Sequence, residues 1–143
     1  MKRTTRNELE DLLPVSLGER WFEKSAVISD LFGKTLTEIT LPNEDEKQEY
    51  ILFECTDGSA YMMYHEQDCC ESVTIEDICG DLDCLIGNPL TKAEVVSESG
   101  DDEWGTHTWT FYHFATIKGY VDIRWYGESN GYYSEEVDFI KIR

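Results

Sequence analysis

His107-Thr-Trp-Thr-Phe-Tyr-His-Phe-Ala-Thr-Ile117 alternates without a break. Trp109, Phe111, His113, Ala115 and Ile117 fall on one face of an extended chain, and Thr108, Thr110, Tyr112, Phe114 and Thr116 on the other. β-branched and aromatic residues at period two predict a strand. Lys118-Gly119 then turns the chain. Tyr120 to Tyr126 returns with Val121, Ile123 and Trp125 on one face and Asp122 and Arg124 on the other. Asn130-Gly131 is a further turn signal, and Tyr133 to Ile142 is expected to close a meander through Val137, Phe139 and Ile140.

Upstream the same grammar repeats. Gln48 to Cys55 and Ser59 to Tyr64 flank Asp57-Gly58, which predicts a hairpin. Thr35 to Leu41 reads as a strand ended by Pro42-Asn43, and Pro89 to Ser97 as another, followed by an acidic loop over Glu98 to Gly105. Glu76 to Cys79 and Asp81 to Ile86 are expected to be single helical turns punctuated by Gly80 and Gly87. Leu9, Leu12 and Leu13 have helical spacing over Arg6 to Leu13, with Asn7 as the cap and Pro14 as the stop. Val15 to Phe32 has room for another helical turn or two. The fold class is therefore α+β: a mainly antiparallel sheet or meander, one or two short N-terminal helices, and short helical turns after the paired cysteines. Short connections favour antiparallel pairing, because parallel strands need long crossovers. The expected organisation is one domain over 1–143, with a helical segment 1–32 packed on a β-rich body 33–143.

Charge narrows the function classes. Thirty acidic residues against 12 basic ones give −18 in 143 residues, with pI near 4.3. Such a chain repels phosphates and anionic lipid, so neither direct nucleic-acid binding nor membrane association is expected. It is drawn to basic surfaces. A domain of this size is on the order of 35–40 Å across, and duplex DNA of that length carries roughly 20 phosphate charges. Gathered on one face, the acids would imitate a DNA segment; scattered, they only aid solubility. Glu44-Asp45-Glu46 and Asp101-Asp102-Glu103 are the sharpest acidic runs, and Tyr132-Tyr133 is the aromatic pair best placed for an exposed contact. These eight residues are the candidate partner-binding set. No apolar run is long enough for a membrane span, and the basic N-terminus is not followed by an apolar stretch. The expected compartment is the cytoplasm.

The five cysteines, Cys55, Cys69, Cys70, Cys79 and Cys84, are odd in number, which argues against a disulfide framework. The densest chemical cluster is His65-Glu-Gln-Asp68-Cys69-Cys70-Glu71. Imidazole, thiolate and carboxylate are zinc donors, so His65, Cys69, Cys70 and Asp68 form a candidate structural zinc site, with Glu71, Asp77, Cys79 or Cys84 as further donors. The competing reading makes the cysteines small buried hydrophobes. Adjacent cysteines point to opposite faces of a strand, so a shared ion needs a bent backbone. Cysteine catalysis is disfavoured, because neighbouring acids raise a thiol pKa. No fixed catalytic motif is present, and no enzyme activity is expected.

The run Tyr64-His65-x-x-Asp68-Cys69-Cys70-Glu71-Ser72-Val73-x-Ile75-Glu76-Asp77-Ile78-Cys79-Gly80-Asp81-Leu82 resembles the central signature of a small family found in phages and Gram-positive bacteria. So do Thr108 to Tyr112 and Gly119 to Glu135, and the likeness covers about Gly33 to Ile142. Less closely, the chain resembles phage anti-CRISPR proteins, inhibitors of type II effector nucleases that carry a bound metal. That resemblance implies His65, Cys69 and Cys70 as metal ligands and a CRISPR effector nuclease, or another basic protein, as partner in the cytoplasm of a bacterial host. The expected function is a non-enzymatic acidic inhibitor that blocks guide or target DNA engagement, since type II effectors hold nucleic acid in basic channels. A zinc-stabilised phage or bacterial accessory protein with a different basic partner is the alternative.

Overall fold

The structure is a computed structural model that describes residues 1–13 and 25–143. Its described strands fall into two sheets. The first has the order β1-β2-β3-β4-β9, from Lys2–Thr4, Leu36–Pro42, Tyr50–Cys55, Ala60–Tyr64 and Asp138–Lys141. The second has the order β5-β8-β7-β6, from Ser72–Cys79, Gly119–Ser129, Gly105–Thr116 and Lys92–Asp102. The chain thus builds most of the first sheet, crosses once to the second, and crosses back for β9. Pairing is antiparallel except for β1 on β2.

Burial explains why the strands differ in pattern. In β3, Ile51 and Phe53 point into the main core, while Tyr50 and Leu52 join a second cluster with Leu9 and Leu13. The first sheet therefore lies between the second sheet and α1 (Arg6–Leu12), and its central strands are apolar on both faces. Phe53 meets Phe114 across the two sheets at 5.6 Å between ring centroids, and the buried Trp125 indole N–H points at Met63 Sδ at 3.0 Å. In β7 only one face is buried: Tyr112 and Phe114 enter the core with Val121, Ile123 and Trp125. The other face, with Trp109, Phe111 and His113, carries no covering layer among the described residues. A sheet with one solvated face alternates strictly, which is what the period-two reading detects.

Several expectations change. The α1 cap is Thr5, not Asn7: Thr5 Oγ1 accepts the Glu8 N–H at 3.1 Å and Glu8 accepts the Thr5 N–H at 2.9 Å, a reciprocal capping box. Of the expected helical content in 15–32, only a 3-10 turn at Ile28–Leu31 is seen, and 14–24 lie outside the described residues. Glu76–Cys79 belongs to β5, where a bulge between Ile75 and Asp77 disguises the alternation; the later turn is 3-10 helix at Leu82–Leu85. The acidic Glu98–Asp102 is not loop but the end of β6, paired through Asp102↔Gly105. The last strand does not extend the meander: β9 pairs with β4 in the other sheet, through Met62↔Ile140. Periodicity reports that a segment is extended, not which edge it joins.

Phe114→Ala is expected to cost about 3–5 kcal/mol in urea denaturation, because it opens the inter-sheet contact with Phe53. Ile117→Ala, at a position 86% exposed, should stay within about 0.5 kcal/mol.

Candidate functional site

The segment 65–71 is the crossing from β4 to β5, and its geometry is organised by one carboxylate. Glu71 is buried. Its Oε1 accepts the Asp68 backbone N–H at 2.6 Å and faces His65 Nε2 at 2.9 Å, and its Oε2 accepts the Cys69 N–H at 3.1 Å. Gln67 donates its amide to the carbonyls of Cys69 and Glu71. His65 Nδ1 faces the main-chain oxygen of Glu136 at 2.7 Å. Glu136 lies in the second crossing, from β8 to β9, so His65 ties the two crossings together. Glu66 adds to this by donating its N–H to Asp138 at the start of β9, at 2.9 Å.

The second crossing has its own buried carboxylate. Glu135 accepts from Ser129 Oγ at 2.6 Å, from Thr108 Oγ1 at 2.9 Å and from Thr106. Gly127 lets it approach: a Cβ there would lie 3.0 Å from the Glu135 Cβ and carbonyl oxygen. Burial alone would raise both carboxyl pKa values, but the donors outweigh it. The N–H of Asp68, then His65 and the other backbone donors, hold Glu71 at about 2, and the hydroxyls of Ser129, Thr106 and Thr108 depress Glu135.

This folding places the zinc candidates apart in function. His65 has both ring nitrogens engaged, Cys69 and Cys70 are bonded to each other through their sulfurs, and Asp68 is exposed. No group of three His, Cys, Asp or Glu side chains converges on one point among the described residues. Cys79 is exposed on β5, Cys84 is half-buried in the 3-10 turn, and Cys55 is buried in the core.

The partner-binding candidates divide into two places. Asp101 and Asp102 end β6 and Glu103 opens the β6–β7 turn, where Asp102 Oδ1 accepts the N–H groups of Trp104 and Gly105 at 2.8 and 3.1 Å. Tyr132 and Tyr133 follow β8 at the same end of the second sheet, with their rings edge to face at 5.1 Å. Tyr132 is 84% exposed and Trp104 86%. Glu44, Asp45 and Glu46 sit elsewhere, in the β2–β3 turn beside the β5 edge, where Gln48 O accepts the Ile75 N–H at 2.7 Å. Gln48 also donates to Glu46 O, and Glu44 lies 3.9 Å from Arg3. Sequence order does not reveal this division, because β5 and β6 occupy opposite edges of their sheet.

Sequence reasoning missed two kinds of residue. Glu71 reads in sequence only as a further zinc donor and Glu135 as one of an acidic pair, and only their buried donors show what they do. The second kind is the aromatic row on the outward face of β7 and β8, where His107, Trp109 and Tyr126 cluster with ring centroids 4.8 Å (His107–Trp109) and 5.2 Å (Trp109–Tyr126) apart. Trp109 Nε1 donates to Glu76 at 3.3 Å, and Glu76 pairs with Arg124 at 3.0 Å.

Since the folded Glu71 value of about 2 lies below its ordinary 4.5, its stabilisation is complete above the higher value and is lost as pH falls toward the lower. Glu71→Gln should lower stability at neutral pH by about 1.5–3 kcal/mol and flatten the acid-side decline across that window. Urea denaturation at stepped pH checks this; parallel profiles for the two proteins would contradict it.

No curated protein and no solved structure is detectably similar to the chain. Residues 29–139 match the family model described as Domain of unknown function (DUF7448), a span that begins at the Ile28–Leu31 turn and ends inside β9. The chain belongs to that family.

Proposed function

We propose that this chain acts by binding, without chemistry of its own, to a basic surface on a protein that handles nucleic acid. The partner class to which the sequence resemblance points is the type II CRISPR effector nuclease, whose guide and target channels are positively charged. The observation that carries the reading is where the negative charge sits. Among the described acidic residues only Glu71 and Glu135 are buried. The others are exposed or half-buried, and Asp101, Asp102 and Glu103 are displayed beside Trp104 and Tyr132, two aromatic side chains that the fold leaves in water.

Carboxylates around exposed aromatic rings suit a protein contact. The charges steer encounter with a basic surface, and the rings supply area that loses little conformational freedom on binding. Occupying a basic channel would exclude guide or target DNA by charge and bulk. Inhibition would then be stoichiometric.

The test is binding to, and cleavage by, a type II effector with and without its guide RNA. Inhibition at about one chain per effector is expected, weakening as salt rises. Joint replacement Asp101→Lys, Asp102→Lys and Glu103→Lys should slow association by about tenfold or more. Absence of binding to every type II effector tried would remove the nuclease from the proposal. Binding that ignored both salt and the replacements would remove the electrostatic basis.

A further inference from the structure

We propose that a groove at the β6–β7 end of the second sheet is an arginine site, taking one guanidinium of the basic partner between the rings of Trp104, His107 and Tyr126 and the carboxylates of Asp102 and Glu128. The inference rests on the basic-partner reading and names its recognition chemistry. The groove encloses about 320 Å³ and runs from the turn at Asp102 and Trp104 onto the outward face of the sheet. Its floor follows the cross-strand row His107–Glu128–Ser72, which Gly100 continues on β6 outside the groove. Gly100 gives the His107 ring room: a Cβ there would stand 2.7 Å from His107 Nε2.

Both carboxylates have capacity to spare. Asp102 spends Oδ1 on the turn, while Oδ2 has no hydrogen-bond partner among the described residues. Glu128 accepts the Tyr126 hydroxyl through Oε2 at 3.3 Å, and its Oε1 is likewise without one. The Tyr126 phenol registers the local potential, because burial and then the charges of Glu128, Asp102 and Glu76 all push its pKa up. The lining therefore offers negative potential, aromatic faces and free acceptors together.

That combination selects arginine over lysine. A planar guanidinium stacks on an aromatic ring and forks onto carboxylate oxygens, whereas an ammonium is a compact, strongly hydrated point charge. It also disfavours the other occupants of an open sheet face. Phosphate is repelled, and a second copy would set acid against acid.

The full-length chain is titrated with nona-arginine and nona-lysine peptides at about 150 mM salt, near physiological screening, following heat by calorimetry. The arginine peptide should bind about tenfold more tightly, the scale of a desolvated cation–π contact. Trp104→Ala and Glu128→Gln should each bring the two peptides close to parity. Asp11→Asn on α1, remote from the groove, should leave the preference intact, and near-ultraviolet circular dichroism confirms that each variant is folded. Equal binding by the wild type, or a preference that survives both substitutions, overturns the arginine site and leaves the basic-partner reading standing. Failure of both peptides to bind overturns both.

Discussion

The His65 ring stands where the chain changes sheets for the first time and holds the main chain at the place where it changes back. Glu71 Oε1 on one side and the Glu136 carbonyl on the other fix it at 2.9 and 2.7 Å. Two sheets that share a core have no hydrogen bonds between their ladders, so their alignment depends on side-chain packing and on the segments that link them. Here both links are gathered at one imidazole, and each is braced by its own buried carboxylate. A buried carboxylate with several charge-assisted donors is stable in place, but it becomes costly once a donor is removed. Glu71 and Glu135 are thus acids withdrawn from the surface to set geometry.

Layering decides what the rest of the acids can do. The first sheet is covered by α1 on one side and by the second sheet on the other, which accounts for the apolar Tyr50 to Phe53 and Ala60 to Tyr64. Among the described residues the second sheet is covered once. Its outward face keeps Trp109, Tyr126 and His107 in mutual contact beside the carboxylates of Glu76 and Glu128, and the β6–β7 turn extends that face with Asp102 and Trp104. An uncovered face of that composition is poorly suited to a core and well suited to a basic partner.

The strands that face water on one side were legible from their alternation, β7 and β8 above all, and so was the β3–β4 hairpin at Asp57-Gly58. The bulge in β5 shifted the pattern by one residue, enough to make Glu76–Cys79 resemble a helical turn. The tail of β6 was hidden by composition, since Glu98, Asp101 and Asp102 look like loop but are held extended by pairing with β7. The sheet change at β9 is a matter of partner choice, which hydrophobic period does not encode. The cluster around His65 stood out chemically because histidine, acids and paired cysteines are rare together. Its role as a brace comes from backbone donors that converge only when the loop closes.

The most direct measurement of where this chain meets a basic partner is the hydrogen-exchange footprint of the full-length protein with nona-arginine bound. The account predicts slowed exchange at 99–107 and 126–134, the turn and the groove beside it, with the β2–β3 turn at 43–49 unchanged. Protection centred on 43–49 or on α1, with the β6–β7 end exchanging as in the free chain, would contradict it.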